Sequence, residues 1–524
     1  MKAWLAKRSD RTLALLCAAA VFVLVAWPLL LVEVPPYQDV ANHLAVSTVA
    51  DHPADYPEFV FTGYWKTNAA FFAWEHFVGH AVGALVAIRL FSALVLAASA
   101  LAFTRLLLVL RGRDELLVGT LFLAPMVHSF CICLGLLDFS LGFALAVWLL
   151  AQMIEQQRAP TATRAAGIAL TSVAIWYAHP IPLFLAGVLV LVEIAVTAFR
   201  SRDEAKRTFV WCGLPATAGA LLMAWSVLGQ LLGPATVHLR SYPSIWLAPW
   251  DLVQNLWVQY FLAFTPRSAS SIVPCVALAV IAWRARRERH AFFGPAAFGV
   301  LAALYATVPY VLSFWAFANT RVEPFLWTAA LVRVPSRVPR WLARALAFAA
   351  LAYSISLGVD FVRLDRDRRE FVAGIPAVPE HAKLLPLIFD TKGASVSTRP
   401  LSHTWGYYVE AKQVAAPRLF ATSRMFGVAY REAPDPQLEQ VALEHFTGAM
   451  RDPTAFCDLL EGAGIHASDC TQRWRDAWAD FWKDVEPKFD WLLLWDTPAV
   501  TMTVIPPEYR EVFARGHLRI MHRP

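Results

Sequence analysis

Residues Thr12–Ala45 read TLALLCAAAVFVLVAWPLLLVEVPPYQDVANHLA, and the point where that run changes character decides the fold. From Thr12 to Val34 nearly every residue is apolar. A helix of roughly 20 apolar residues crosses the hydrocarbon core of a bilayer. Lys2, Lys7, Arg8 and Arg11 precede the run, as they would in a secretion signal. The run is too long for a signal core and no small-residue cleavage site follows it, so it reads as a retained first span. Pro35 and Pro36 end the span, because proline lacks the amide donor a continuing helix needs. Polar chemistry starts at once, with Tyr37, Gln38, Asp39, Asn42 and His43.

The rest of the chain repeats the first half of this pattern. Of 524 residues, 58% are hydrophobic and only 16% are charged, against about 25% charged in soluble domains. That deficit excludes a soluble multidomain enzyme and fits a chain solvated largely by lipid. The net charge of +6 is not a nucleic-acid signal. The basic residues sit in short clusters between apolar runs: Lys2 to Arg11, Arg111 and Arg113, Arg158 and Arg164, Arg200 to Arg207, Arg284 to Arg289, and Arg333 to Arg344. Cytoplasmic loops carry such an excess. Placing every cluster inside predicts about eleven spans, with the N-terminus in the cytoplasm and the C-terminus outside a plasma membrane. The outside segments are then 35–85, tight turns near Gly135 and at His179-Pro180, 233–270 and roughly 317–323. The spans near 116–134, 165–179 and 271–285 are short. The one at 318–334 is the weakest, and a re-entrant segment there would move the C-terminus inside.

Composition changes after about residue 360. The run Val362-Arg-Leu-Asp-Arg-Asp-Arg-Arg-Glu370 closes the last span, and residues 361–524 read as a soluble α/β domain outside the membrane. Expected strands are Lys383 to Phe389, Trp491 to Trp495, Val500 to Ile505 and Leu518 to Met521. Expected helices lie near 404–415, 436–448, 452–462 and 472–484. Five of seven cysteines lie in apolar spans, while Cys457 and Cys470 lie in the tail, where an oxidising compartment would let them pair.

Asp39 and His43 are four apart, so a helix places both on one side with Asn42 beside them. A carboxylate at the outer mouth of a helical bundle can act as a base. The plain alternative is a solvated helix cap. His128, Asp138 and His179 are further polar residues near span ends. Residues 69–84 read as an interfacial helix with Phe71, Phe72, Trp74 and Phe77. His76 and His80 on it are four apart, but without a third ligand they do not make a metal site. The aromatic stretch His403-Thr-Trp-Gly-Tyr-Tyr408 in the tail suits sugar stacking or, more simply, an ordinary helix burying Trp405 and Tyr408.

The stretch Pro35–Ala45, with its Asp-x-x-x-His pattern, resembles the first external loop of the GT-C superfamily, integral-membrane glycosyltransferases that use polyprenyl-phosphate-linked sugars. Gly135-Leu-Leu-Asp-Phe139 is similar to a Gly-Phe-Leu-Asn-Phe-type motif of a bacterial branch, and His179-Pro180 to a His-Pro at a helix turn there. The resemblance implies an all-α membrane bundle in residues 1–360, followed by the tail. It implies transfer of a sugar from a lipid-linked donor to a glycan, lipid or protein acceptor at the periplasmic face of the inner membrane. It makes Asp39 the catalytic base, with Asn42, His43, Arg89, Asp138, His179 and Arg321 expected around the substrate. Lys66 and Arg240 are further cations for the leaving phosphate. Asp39, Asn42 and His43 can serve with or without a divalent metal. A non-catalytic GT-C-like scaffold or a lipid-linked glycan transporter is the alternative. No nucleotide-sugar motif is present apart from Asp365-Arg-Asp367, which sits in the charged linker.

Overall fold

The structure is a computed structural model, and it describes residues 9–232, 243–312, 315–422, 425–462, 464–465 and 469–524. The expectations on Lys2, Lys7, Arg8 and Arg240 fall outside the described residues. The chain divides into two compact units. One holds the stretches up to residue 35, from 64 to 232 and from 243 to 362; the other holds 36–63 and 363–524. The division therefore differs from a single break at residue 360. The opening of the first loop, Asp39 included, folds with the tail.

The first unit is helical. Among the described residues, seven helices are long and apolar enough to cross a membrane: Asp10–Leu30, Ala84–Arg111, Leu137–Arg158, Pro180–Ala198, Arg202–Gly229, Pro266–Arg284 and Arg340–Ala377. Other expected spans are shorter helices. Ala162–Ala178 has 17 residues and Pro295–Thr307 has 13. The stretch near 116–134 is split into Arg113–Thr120, Leu123–Val127 and Phe130–Cys133. Glu323–Leu331 has nine residues, all buried. At about 1.5 Å per residue it covers under half of a bilayer core of roughly 30 Å. The charged run after 360 does not end a helix, since Arg340–Phe371 continues through it. Asp365 pairs there with Arg368 and Arg369 at 2.9 and 2.7 Å, which is how the helix carries five ionic residues in one turn and a half.

The basic clusters of this unit meet one another. Arg113 pairs with Asp10 at 2.8 Å and Arg111 with Glu288 at 3.4 Å. Arg111 also donates to the Val334 carbonyl, Arg158 to that of Val109 and Arg333 to that of Phe293. Clusters far apart in sequence thus share one end of the bundle. The opposite end holds Thr67 and Ala69, bonded to the carbonyls of Trp176 and Tyr177. Within 69–84, residues 70–82 form a helix with one wider turn at Glu75–Gly79. Phe71 and Phe72 are buried, while Phe77 is exposed.

The second unit is built on a four-stranded sheet. Leu384–Ile388 lies parallel to Trp491–Trp495, which pairs antiparallel with Leu518–His522, which pairs antiparallel with Arg510–Arg515. The parallel pair, Leu384–Ile388 and Trp491–Trp495, is buried on both faces and is correspondingly apolar. Helix Cys470–Val485 covers the sheet with Trp474, Trp478, Phe481, Trp482 and Val485, a stripe at helical spacing. Both Trp474 and Trp478 donate their indole N–H to the Met450 carbonyl. The expected strand at Val500 to Ile505 is instead a short helix, Ala499–Met502. Pro498 stands at its N-cap, and Pro506-Pro507 would interrupt any ladder. The real strand is Arg510–Arg515, too charged to stand out in sequence. Cys457 and Cys470 form a disulfide.

Two first-loop elements complete this unit. Phe59–Phe61 pairs antiparallel with Val428–Tyr430. Helix Val40–Asp51 packs on helix Gly406–Lys412 at very close range. A Cβ on Gly406 would stand 2.0 Å from the Ala41 carbonyl oxygen, so only glycine permits the contact.

Candidate active site

Pro35 and Pro36 release the chain from the first helix, and Asp39 takes the N-cap position of Val40–Asp51. Its backbone carbonyl accepts the first helical bond, from His43 N–H at 3.0 Å. Its carboxylate makes no capping bond. It turns instead toward the tail, where Oδ1 stands 3.4 Å from Nε2 of His403, and its side chain is 13% exposed. The solvated-cap reading of Asp39 therefore does not describe this residue.

The neighbouring side chains fix the state of His403. Asn42 is fully buried. Its Oδ1 accepts from Phe420 N–H at 2.9 Å, and its Nδ2 donates to the Arg418 carbonyl at 2.9 Å. The amide orientation is thereby set by two backbone groups. Nδ2 also faces Nδ1 of His403 at 3.4 Å, which makes Nδ1 the acceptor and leaves the ring proton on Nε2. That N–H is the one beside Asp39. Burial pushes His403 down to about 4, with Glu444 opposing the shift and Arg418 adding to it. His403 is thus a neutral donor to the Asp39 carboxylate at physiological pH, and the pair is not an ion pair. Burial, and then His403 nearby, also lower His43.

Phe420 holds the two imidazoles apart, edge-on to His43 at 5.5 Å and to His403 at 4.9 Å between ring centres. Glu444 Oε1 lies 3.7 Å from His403 Nδ1 and 3.8 Å from Arg418 Nη2. A carboxylate held by a neutral imidazole donor is fixed in direction yet keeps its charge, as a general base requires. Asp39, Asn42 and His43 do not assemble a cation site, because the Asn42 oxygen is already bonded and the Asp39 carboxylate faces His403.

Three other expected residues converge in the first unit. Asp138 sits in the first turn of Leu137–Arg158, and its Oδ1 accepts from Phe71 N–H at 2.8 Å. The turn before it is the one expected at Gly135, with φ of 81°. His179 caps Pro180–Ala198, its Nδ1 accepting from Ile181 N–H at 3.2 Å, and its ring lies edge-on to Phe139 and Trp315. Arg321 donates to the carbonyls of Ala316 and Phe317 at 2.7 and 3.0 Å and lies over the same Trp315 ring. Asn319, Thr320 and Glu323 beside it are buried as well. His128, also buried, is elsewhere, its carbonyl accepting from Tyr353. Arg89 reaches the Val32 carbonyl at 3.4 Å. Burial pushes Lys66 down to about 7. His76 and His80 stack edge-on at 4.9 Å, with His80 Nδ1 against the His76 carbonyl.

His403, Arg418, Phe420 and Glu444 escaped sequence reasoning. Only His403 left a signal, at the head of the aromatic stretch. Trp405 and Tyr408 of that stretch are core residues, with Tyr408 bonded to the Phe371 carbonyl.

No protein-family model and no curated protein matches the sequence. Solved structures do. Arabinofuranosyltransferase AftD from Mycobacteria aligns over 98% of this chain with a TM-score of 0.51 and 17% identity. The chain spans only 40% of AftD. ArnT from Cupriavidus metallidurans, in a structure bound to undecaprenyl phosphate, aligns over 97% of this chain and 98% of its own, with a TM-score of 0.55 and 11% identity. At these identities the likeness is one of fold: the chain shares the fold of both structures.

Proposed function

We propose that the protein is a membrane glycosyltransferase that moves a sugar from a polyprenyl-phosphate-linked donor to a cell-envelope acceptor, with Asp39 as the base. The observation that carries this reading is the Asp39 carboxylate, turned away from its own helix and held by the neutral N–H of His403. In the proposed reaction Asp39 takes the proton of an acceptor hydroxyl. The oxygen attacks the anomeric carbon, and the lipid phosphate departs from the opposite face. Charge grows on that phosphate, so preorganised cations lower the barrier. Arg321 is the cation we assign to it; His179, whose Nδ1 already accepts from Ile181 N–H, can add only a neutral Nε2–H donor, and Asp138 orders the first-loop backbone through Phe71.

The same reading places the reaction at the periplasmic face of a bacterial inner membrane. The clustering of basic residues at one end of the helical unit supports a cytoplasmic placement of that end. The Cys457–Cys470 disulfide supports a tail in an oxidising compartment. The nine-residue helix Glu323–Leu331 is too short to cross by itself, so this orientation rests on the basic clusters and the disulfide and not on the number of crossings.

The test is replacement of the chromosomal gene by wild type or by Asp39→Asn, followed by analysis of the envelope glycan. The change keeps size and removes the base. Loss of the glycan product by about 10²-fold or more is expected. Full activity at equal protein level would remove Asp39 from the mechanism.

A further inference from the structure

Arg418 has no part in the reaction as written above. Its side chain is fully buried in the second unit, yet Nε, Nη1 and Nη2 make no hydrogen bond among the described residues. Its counter-charge, Glu444 Oε1, is 3.8 Å away, beyond hydrogen-bonding reach, and is shared with His403 Nδ1 at 3.7 Å. A guanidinium offers five donors in a fixed fork and stays charged. Left in this state, a buried charge opposes folding strongly. Two oxygens of a single oxyanion satisfy the fork best, because the bonds are then parallel and charge-assisted. Glu444 is 25% exposed, so it marks the side from which such a group enters.

We propose that Arg418 receives an oxyanion on the acceptor, a phosphate or carboxylate group, and that the acceptor is therefore acidic. Assigning the anion to the acceptor rests on Asp39 being the base. In an inverting displacement the base and the leaving phosphate stand on opposite faces of the anomeric carbon. Arg418 is tied to the base side: Asn42 holds its carbonyl at 2.9 Å and also meets His403, the partner of Asp39. A cation there meets the acceptor and not the departing lipid phosphate.

The experiment is thermal unfolding of the full chain in detergent micelles, titrated with inorganic phosphate, with glucuronate and with glucose. Phosphate or glucuronate is expected to raise Tm saturably by a few degrees, and glucose to leave it unchanged. Arg418→Gln is expected to abolish the shift. Arg418→Met, which removes the buried charge and keeps the bulk, is expected to melt at or above the wild-type temperature without ligand. No shift with either anion, or an equal shift in Arg418→Gln, would overturn the site. A fall of several degrees in ligand-free Arg418→Met would make Arg418 a structural counter-ion and overturn it too. Undecaprenyl phosphate is added in a last arm; if it competes with inorganic phosphate, the anion belongs to the donor and the acceptor assignment fails. None of these readings requires sugar transfer, so they stand apart from the outcome with Asp39→Asn.

Discussion

At the scale of single residues, the donor that faces the proposed base, Asp39, is set by the Asn42 amide acting on the far side of His403. Asn42 places its Nδ2 against His403 Nδ1, and the ring proton is left for Asp39. Glutamine at 403 can present a donor at nearly the same place, whereas phenylalanine keeps the ring and loses the N–H. His403→Gln is therefore expected to retain most transfer activity. His403→Phe should lower kcat by roughly 10–100-fold with little change in KM, the usual effect of losing an outer partner that orients a working group. Equal kinetics in both variants would remove the positioning role. The same ring gives a pH signature. His403 titrates near 4 in the folded chain, against about 6.5 unfolded. The unfolded state therefore binds the proton first, and stability is lost as pH falls from about 6.5 toward 4, by about 1.4 kcal/mol per unit. Tm measured between pH 7 and 4.5 should fall less steeply in His403→Gln than in wild type.

Among elements, the decisive contact is between helices Val40–Asp51 and Gly406–Lys412. Gly406→Ala would press a methyl onto the Ala41 backbone, which cannot swing aside as a side chain would. A loss of about 1–3 kcal/mol is expected, the range for overpacking, together with loss of transfer as Asp39 and His403 separate. Gly448→Ala is the control. A Cβ there meets nothing within 4 Å in helix Gln440–Ala449. It should stabilise by about 0.5–1 kcal/mol, and melting curves of the two variants should move in opposite directions. This contact also marks where sequence reading stopped. The helix after Pro35-Pro36 was legible because proline, polarity and four-residue spacing are local signals. The tail helices were legible from their apolar stripes, as Trp474, Trp478 and Phe481 show. His403, Arg418 and Glu444 were not, because their role exists only once residues 361 positions apart, such as Asn42 and His403, are brought together. The stretch 318–334 reads from sequence as the weakest span, and its helix, Glu323–Leu331, has only nine residues.

For the whole molecule, the lipid-solvated class and the gathering of basic clusters followed from composition and charge alone. Which stretches belong to which unit did not, since nothing local tells residues 36–63 that their partners lie beyond 363. The disulfide offers a direct check on the proposed orientation. In spheroplasts, a membrane-impermeant reductant followed by an impermeant maleimide should label Cys457 and Cys470. The other described cysteines are buried and should stay silent. Labelling that appears only after lysis would place the tail in the cytoplasm.

The divided make-up of the second unit also sets an order of events at the ribosome. The helix that Asp39 opens emerges long before its partners, since His403 lies 361 positions after Asn42. At about 5–20 residues per second that interval is roughly 20–70 s. Throughout it Ala41, Leu44 and Ala45, all destined for burial, have no tail to pack against. Membrane insertion of the helical unit therefore precedes the meeting of Asp39 with His403, and a nascent chain stalled before residue 403 holds all seven long apolar helices of the described residues and lacks the proposed site.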